Sequence, residues 1–172
     1  MNILFVSKEL IAADLSYQLK KEGCNVKLFI ETNDDKDCFN GMVNKTEDWT
    51  KELKWVGKNG LIVFDDVGYG EIKDNLRKEG YLVVGSSGDG DSLELDREYG
   101  QDVLKSCGVI VNADFETKLF TIRSAMSYIK KHKGVWVLKK NNNHDDALTY
   151  VGSAKDGSDV ISILKNYKSL WI

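Results

Sequence analysis

The chain of 172 residues contains no proline. Its turns must therefore be built from Gly, Asn, Asp and Ser, and no functional class follows from that alone. Long apolar runs are also missing. Nothing in the sequence approaches the ~20 residues that a membrane-spanning helix needs, so no membrane partner is expected. The amino terminus opens directly on Asn2-Ile3-Leu4-Phe5-Val6, without a basic segment and a long apolar core ahead of a cleavage site. That is not a secretory leader, and a cytoplasmic location is expected. Cysteine is sparse: Cys24, Cys38 and Cys107 are odd in number, scattered, and lack CxxC spacing. Such a set suits reduced thiols better than a disulfide framework or a zinc site. With His132 and His144 as the remaining soft ligands, no metal site is expected. A strong field of either sign is absent too, because the net charge is −3. The basic clusters Lys20-Lys21 and Lys130 to Lys133 are too short to form a nucleic-acid footprint, and no nucleic-acid partner is expected.

What is present is a chain with 42% apolar and 30% charged residues. That is enough to bury a core and keep a wet surface, and the length fits one ordinary domain, or one domain plus part of another. Asn2 to Val6 is a continuous apolar run, as in a strand buried on both faces of a parallel sheet. Helical periodicity follows from Leu10 through Lys21, and Gly23 is placed to end it. Asn25 to Ile30 is a second strand, so the opening reads as a right-handed βαβ unit. The turn inside it, Ser7-Lys8-Glu9-Leu10-Ile11, holds no glycine and does not offer the backbone approach of a dinucleotide-binding turn. Glu31 stands where an acid would meet a ribose hydroxyl, and it is read as a polar strand end. Glu31 to Lys45 is a polar loop. Its Asp34, Asp35 and Asp37 lack the glycine and terminal Glu of a calcium loop. A helix is expected from Thr46, with Trp49, Leu53 and Val56 on one face.

The stretch from Gly60 to Cys107 organises the chain. Leu61 to Phe64 and Tyr81 to Val84 read as buried strands that end in Asp65-Asp66 and Gly85-Ser86-Ser87. In open α/β sheets ligands bind beyond the carboxyl ends of the strands, so Asp65, Asp66, Gly85, Ser86 and Ser87 should share one rim. Between the strands lies a helix with Ile72 and Leu76 inward. The turn Gly85 to Asp91 is either an anion nest of backbone N–H groups or simply the tight loop of a proline-free chain. A single long helix should then run from Asp91 or Ser92 to Cys107. After it come a helix over Thr117 to Lys131, a strand Val135 to Leu138 ending in Lys139, and a polar loop from Asn141 to Asp146. A strand over Leu148 to Val151 and a helix over Asp156 to Tyr167 complete the chain. The fold class is α/β, a Rossmann-like parallel sheet flanked by helices over 1–108, followed by a small α+β piece over 109–172.

This order of elements, with Phe64-Asp65-Asp66, Gly85-Ser86-Ser87, Leu93-Glu94-Leu95-Asp96-Arg97 and Trp136-Val137-Leu138-Lys139, resembles the start of an ATP-grasp ligase. More specifically it is similar to the phosphoribosylamine–glycine ligase family of purine biosynthesis. The matching family features are a G-P-E turn, a G-P-S turn, an L-E-G-S-K-like helix start and a V-V-K strand. The resemblance implies a pre-ATP-grasp domain and part of an ATP-grasp domain. It implies chemistry in which ATP and magnesium convert a carboxylate to an acyl phosphate that an amine attacks. It further implies that Lys139 and Arg97 face the nucleotide, and that the rim of Asp65, Asp66, Gly85, Ser86 and Ser87 helps hold a phosphoribosyl substrate. Residues that clamp adenine and the late metal ligands lie, in that family, beyond the stretch matched here. The expectation is therefore an amino-terminal portion that lacks the remaining ATP-grasp lobes, has no catalytic residues of its own and turns over no ATP alone. Two other readings are a non-catalytic nucleotide-, sugar-phosphate- or protein-binding module, and a receiver-like signalling domain. The second fits less well, because Asp65-Asp66 follow a later strand than the acid pair of such domains.

Overall fold

The computed structural model describes residues 1–110, 121–139 and 149–170, the last three of these by backbone alone. The chain forms two compact units, Met1–Glu94 and Leu95–Ile172.

The first unit is built on an all-parallel sheet of five strands: β1 (Asn2–Ser7), β2 (Asn25–Ile30), β3 (Asn44–Thr46), β4 (Leu61–Phe64) and β5 (Leu82–Val84). Their order across the sheet is β3-β2-β1-β4-β5. β1 lies in the middle, in register with β2 from Asn2↔Asn25 to Ser7↔Ile30 and with β4 from Ile3↔Leu61 to Val6↔Phe64. Successive side chains of a strand point to opposite faces, so β1 feeds two cores. Ile3 and Phe5 join Val26, Leu28, Ile30, Val63 and Ala13 on one face, and Leu4 and Val6 join Ile62, Phe64, Val56 and Leu76 on the other. This is why the opening run is apolar without alternation.

Helix α1 (Ala13–Lys21) covers the first face, and α2 (Leu53–Val56) and α3 (Gly70–Lys78) cover the second. α1 starts three residues later than the periodicity suggests. Leu10 adopts φ 61 and sits in a turn that is hydrogen-bonded to Ser7.

Several expectations need correction. β3 was not foreseen: Asn44-Lys45-Thr46 carries no apolar alternation, yet it pairs in parallel with Lys27 to Phe29 and satisfies that edge of β2. The helix expected from Thr46 is reduced to a 3-10 turn over Trp49–Glu52, capped by Asp48 through the Thr50 N–H at 3.0 Å, and the short α2. On α3 it is Lys73, with Leu76, that points inward, while Ile72 is 42% exposed. The single helix expected up to Cys107 is two helices, α4 (Gly88–Leu95) and α5 (Arg97–Ser106). Asp96 between them is extended, and its carboxylate accepts from Glu98 N–H and Tyr99 N–H, which caps α5.

In the second unit, α6 (Ile122–Lys131) begins at a Thr121/Ser124 capping box. β6 (Val137–Leu138) and β7 (Tyr150–Val151) form an antiparallel pair with Val137↔Val151 and Leu138↔Tyr150, and α7 spans Ser158–Leu170. Ala125 and Ile129 of α6 meet Val160 and Leu164 of α7, with Trp136, Leu138 and Tyr150 of the sheet packed against them. The helices thus cover one face of the pair. The polar loop Asn141 to Asp146, and the parts of the expected elements at Thr117, Leu119 and Leu148, lie outside the described residues. Among the described residues no helix is long and apolar enough to cross a membrane.

Candidate functional site

In the first unit the direction of travel reverses between β1 and β4, the two neighbours at the centre of the sheet. Beyond the carboxyl ends of strands at such a switch point, the connecting loops diverge and leave a crevice. Ser7 ends β1, Glu31 and Thr32 follow β2, Asp65 and Asp66 follow β4, and Gly85 to Ser87 follow β5. The rim residues foreseen from the sequence therefore do lie beyond adjacent strands β4 and β5.

Asp65 ties the β1–α1 turn to the end of β4: its Oδ2 accepts from Ser7 Oγ at 2.7 Å and from Ala12 N–H at 2.9 Å. Its Oδ1 is buried and has no hydrogen-bond partner among the described residues. Asp66 accepts from Val67 N–H at 2.7 Å. Tyr69 donates its hydroxyl hydrogen to the Glu31 carboxylate, so a side chain after β4 reaches one after β2 across the end of β1. Burial, the bond to Glu31 and the negative charges of Glu31, Asp65 and Asp66 all push the Tyr69 hydroxyl above its ordinary pKa. It stays protonated and can only donate to a carboxylate. Sequence reasoning read Glu31 as a polar strand end and assigned no site role to Ser7 or Tyr69; the acid directly after β2 was the available signal.

The Gly85–Ser87 turn is tied down from inside. Arg77 donates to Gly85 O at 2.6 Å and to Ser86 O at 3.3 Å, and its partner Asp74 accepts from Gly88 N–H at 2.8 Å. Ser87 Oγ accepts from Gly90 N–H at 3.0 Å. The N–H groups of Gly88 and Gly90 that would make an anion nest are thus engaged within the chain. Beneath the turn, Lys73 and Asp91 form a buried ion pair at 3.0 Å, and Ser86 Oγ bonds to both. Burial alone would raise the Asp91 carboxyl, but the bonds from Ser86, Lys73 and Gly68 N–H outweigh it and hold its pKa below the ordinary 3.8. The Asp74 carboxyl is lowered as well, by Gly88 N–H first and then Arg77. A carboxyl lowered by folding adds stability that is complete above its unfolded pKa and disappears as pH falls through the folded value. Melting temperature is therefore expected to hold from pH 7 to about 5 and to drop steeply below about pH 4. A pH series of thermal melts checks this, and a flat profile down to pH 3 contradicts it.

The two residues that the family resemblance assigns to the nucleotide lie in the second unit, Arg97 at the start of α5 and Lys139 after β6. Around Lys139 exposure alternates: Val135, Val137 and Lys139 are exposed, and Trp136 and Leu138 are half-buried. Val137 pairs with Val151, so Val135, Val137, Val151 and Lys139 share the face of β6–β7 away from α6 and α7. The valines are 57%, 52% and 70% exposed. The face is thus an open apolar patch with the Lys139 ammonium at one end. Among the described residues no group of three or more His, Cys, Asp or Glu side chains gathers in one place.

No family model matches the chain, and no curated relative matches it. Solved structures do. N5-carboxyaminoimidazole synthetase from Staphylococcus aureus, complexed with ADP, matches with a TM-score of 0.57 at 16% identity, over 95% of this chain and 44% of that one. A second structure of that synthetase gives 0.58 at 16% identity over the same shares. The chain spans less than half the length of the enzyme it matches. At this identity the likeness establishes a fold alone: an α/β chain with the architecture of part of that synthetase.

Proposed function

We propose that this chain is the amino-terminal portion of an ATP-dependent carboxylate–amine ligase of purine biosynthesis, similar to phosphoribosylamine–glycine ligase, and that it is not catalytic alone. Two domains carry it, a pre-ATP-grasp domain over 1–108 and a partial ATP-grasp subdomain over 109–172. This boundary follows the order of elements, whereas contacts group α5 with the second unit. The observation that carries the reading is the exposed valine face of β6–β7 with Lys139 at its end, on a fold that matches a synthetase solved with ADP. That face is one wall of a nucleotide site, and the missing ATP-grasp lobes would be the other.

Each residue then has a task. The valines exclude water from one side of the base, Lys139 neutralises phosphate charge, and Arg97 supports the same nucleotide from the start of α5. On the rim, Asp65 and Asp66 accept from hydroxyl or amine groups of a phosphoribosyl substrate, and the Gly85–Ser87 turn presents its backbone and the Ser87 hydroxyl. When bound, ATP supplies the phosphoryl group that activates the carboxylate. No step through magnesium is assigned to this chain.

The test compares the 172-residue chain with any longer product of the same gene, each with ATP, magnesium, glycine and phosphoribosylamine. The short chain is expected to consume no ATP. The longer product is expected to do so, with affinity for ATP lowered at least about ten-fold by Lys139→Ala, the loss of one charge-assisted hydrogen bond. Turnover by the short chain overturns the non-catalytic part. Nucleotide binding without turnover in the longer product replaces the ligase with a binding module.

A further inference from the structure

The carboxylate of Asp91 lies in the first turn of α4, yet it serves three other segments. Its Oδ2 accepts from Gly68 N–H, in the β4–α3 loop, at 2.9 Å. Its Oδ1 accepts from Lys73 Nζ of α3 at 3.0 Å and from the Ser86 hydroxyl in the β5–α4 turn. Lys73 also donates to Ser86 Oγ at 2.9 Å. Lys73 and Asp91 are both buried. The two helix starts close tightly over them: a Cβ on Gly70 would meet Gly88 Cα at 2.5 Å and Asp91 Oδ2 at 2.8 Å. A Cβ on Gly85, where φ is 136, would meet Lys73 Cδ at 2.9 Å. Both glycines leave room for this one carboxylate and its lysine.

The arrangement is a complete carboxylate receptor: an ammonium, a hydroxyl and a backbone N–H converge on two oxygens. Its ligand is supplied by the chain. The loops it joins follow β4 and β5, and they carry Asp65 and Asp66 on one side and Gly85 to Ser87 on the other. The half-exposed pair Asp74–Arg77 clips the outside of the same turn, through bonds to Gly85, Ser86 and Gly88 rather than to the β4–α3 loop. Asp91 is the group that binds both.

We propose that Asp91 is a positioning residue: held by Lys73, Ser86 and Gly68 N–H, it acts as an internal carboxylate ligand that sets the β4–α3 loop against the β5–α4 turn. The shape of the rim depends on it although it touches no substrate. Its consequence for binding rests on the rim assignment proposed above, while its effect on the loops does not. One specific result follows for Ser86. Its hydroxyl is committed to Asp91 and Lys73, which leaves Ser87 as the turn's side-chain contact for a ligand.

The test uses the full chain labelled for amide hydrogen exchange, with Asp91→Asn and Asp91→Ala. In Asp91→Asn the Gly68 and Ser86–Ser87 amides are expected to exchange at least ten-fold faster, while those of central β1 change far less. In Asp91→Ala, which leaves the receptor without its ligand, added formate is expected to restore slow exchange at Gly68, and chloride at equal ionic strength is not. If Asp91→Ala does not fold, the Asp91→Asn measurement alone decides. Unchanged Gly68 exchange overturns the proposal, and so does acceleration spread equally over the whole sheet, since that is general destabilisation. Ribose 5-phosphate binding is measured in parallel, with at least a ten-fold loss expected in Asp91→Asn. If the unaltered chain does not bind ribose 5-phosphate, the rim assignment fails and the exchange data still decide the positioning role.

Discussion

Replacing Lys73 with methionine is expected to cost about 3–5 kcal/mol of stability, the size seen when one partner is removed from a buried ion pair. The Lys73 and Asp91 side chains are 0% and 6% exposed, so no solvent is at hand to take over the carboxylate. Methionine fills most of the lysine volume, and the loss therefore comes from charge left unpaired rather than from a cavity. The double variant Lys73→Met/Asp91→Leu removes both charges and should recover most of the loss, because well-packed apolar replacements of buried pairs are often neutral or better. Urea unfolding of the single and double variants gives both numbers. A single-variant loss under about 1 kcal/mol, the value of a surface pair, would show that the pair is solvated.

Phe5→Ala should be of similar size, about 3–5 kcal/mol, by loss of transfer energy and creation of a cavity. Phe5 is fully buried in the central strand, opposite Leu28 of β2 and Val63 of β4. Its ring is shared by both neighbours and lies under α1, so no single element can collapse to fill the gap. Chemical denaturation should show a lower midpoint with an unchanged slope. A loss below about 1.5 kcal/mol, more typical of volume-conserving swaps in a core, would mean that Phe5 does not stand at the centre of that core.

Four of the five strands in the first unit were legible as short, mostly apolar runs; β1 and β4 are buried on both faces, which demands such a run, whereas β5, expected to be buried, is an edge strand with Leu82 53% and Val84 50% exposed. β3 was not legible, since Asn44-Lys45-Thr46 is held by its ladder to β2 rather than by any buried face of its own. The inward face of α3 was misread at Ile72 for a related reason. Periodicity prefers the apolar residue, and only the partner at Asp91, eighteen positions away, makes an inward Lys73 favourable. The break at Asp96 was equally hidden: its capping of Glu98 and Tyr99 needs an extended backbone inside a helical pattern.

The site divides in the same way. The location of Asp65, Asp66 and Gly85–Ser87 follows from the rule for parallel sheets and is met. The partners that decide what those residues can offer, Ser7, Arg77, Lys73 and Asp91, are brought in by topology and carry no local signal. Val135 to Lys139 was read only as a strand with a lysine at its end; which of its sides packs on α6 and α7 and which stays open was not legible, because Val135 to Leu138 are all apolar. The fold match agrees with the ATP-grasp resemblance at the level of architecture, through a synthetase other than the ligase whose motifs the sequence resembles.

The most direct test of the proposed nucleotide wall is an amide NMR titration of the 172-residue chain with magnesium ADP, repeated with Lys139→Ala. Shifts concentrated at Val135, Val137, Lys139 and Val151, saturating at lower ADP in the unaltered chain than in the variant, are the predicted result. Shifts confined to the Asp65–Ser87 rim, or none up to millimolar ADP, would contradict the account.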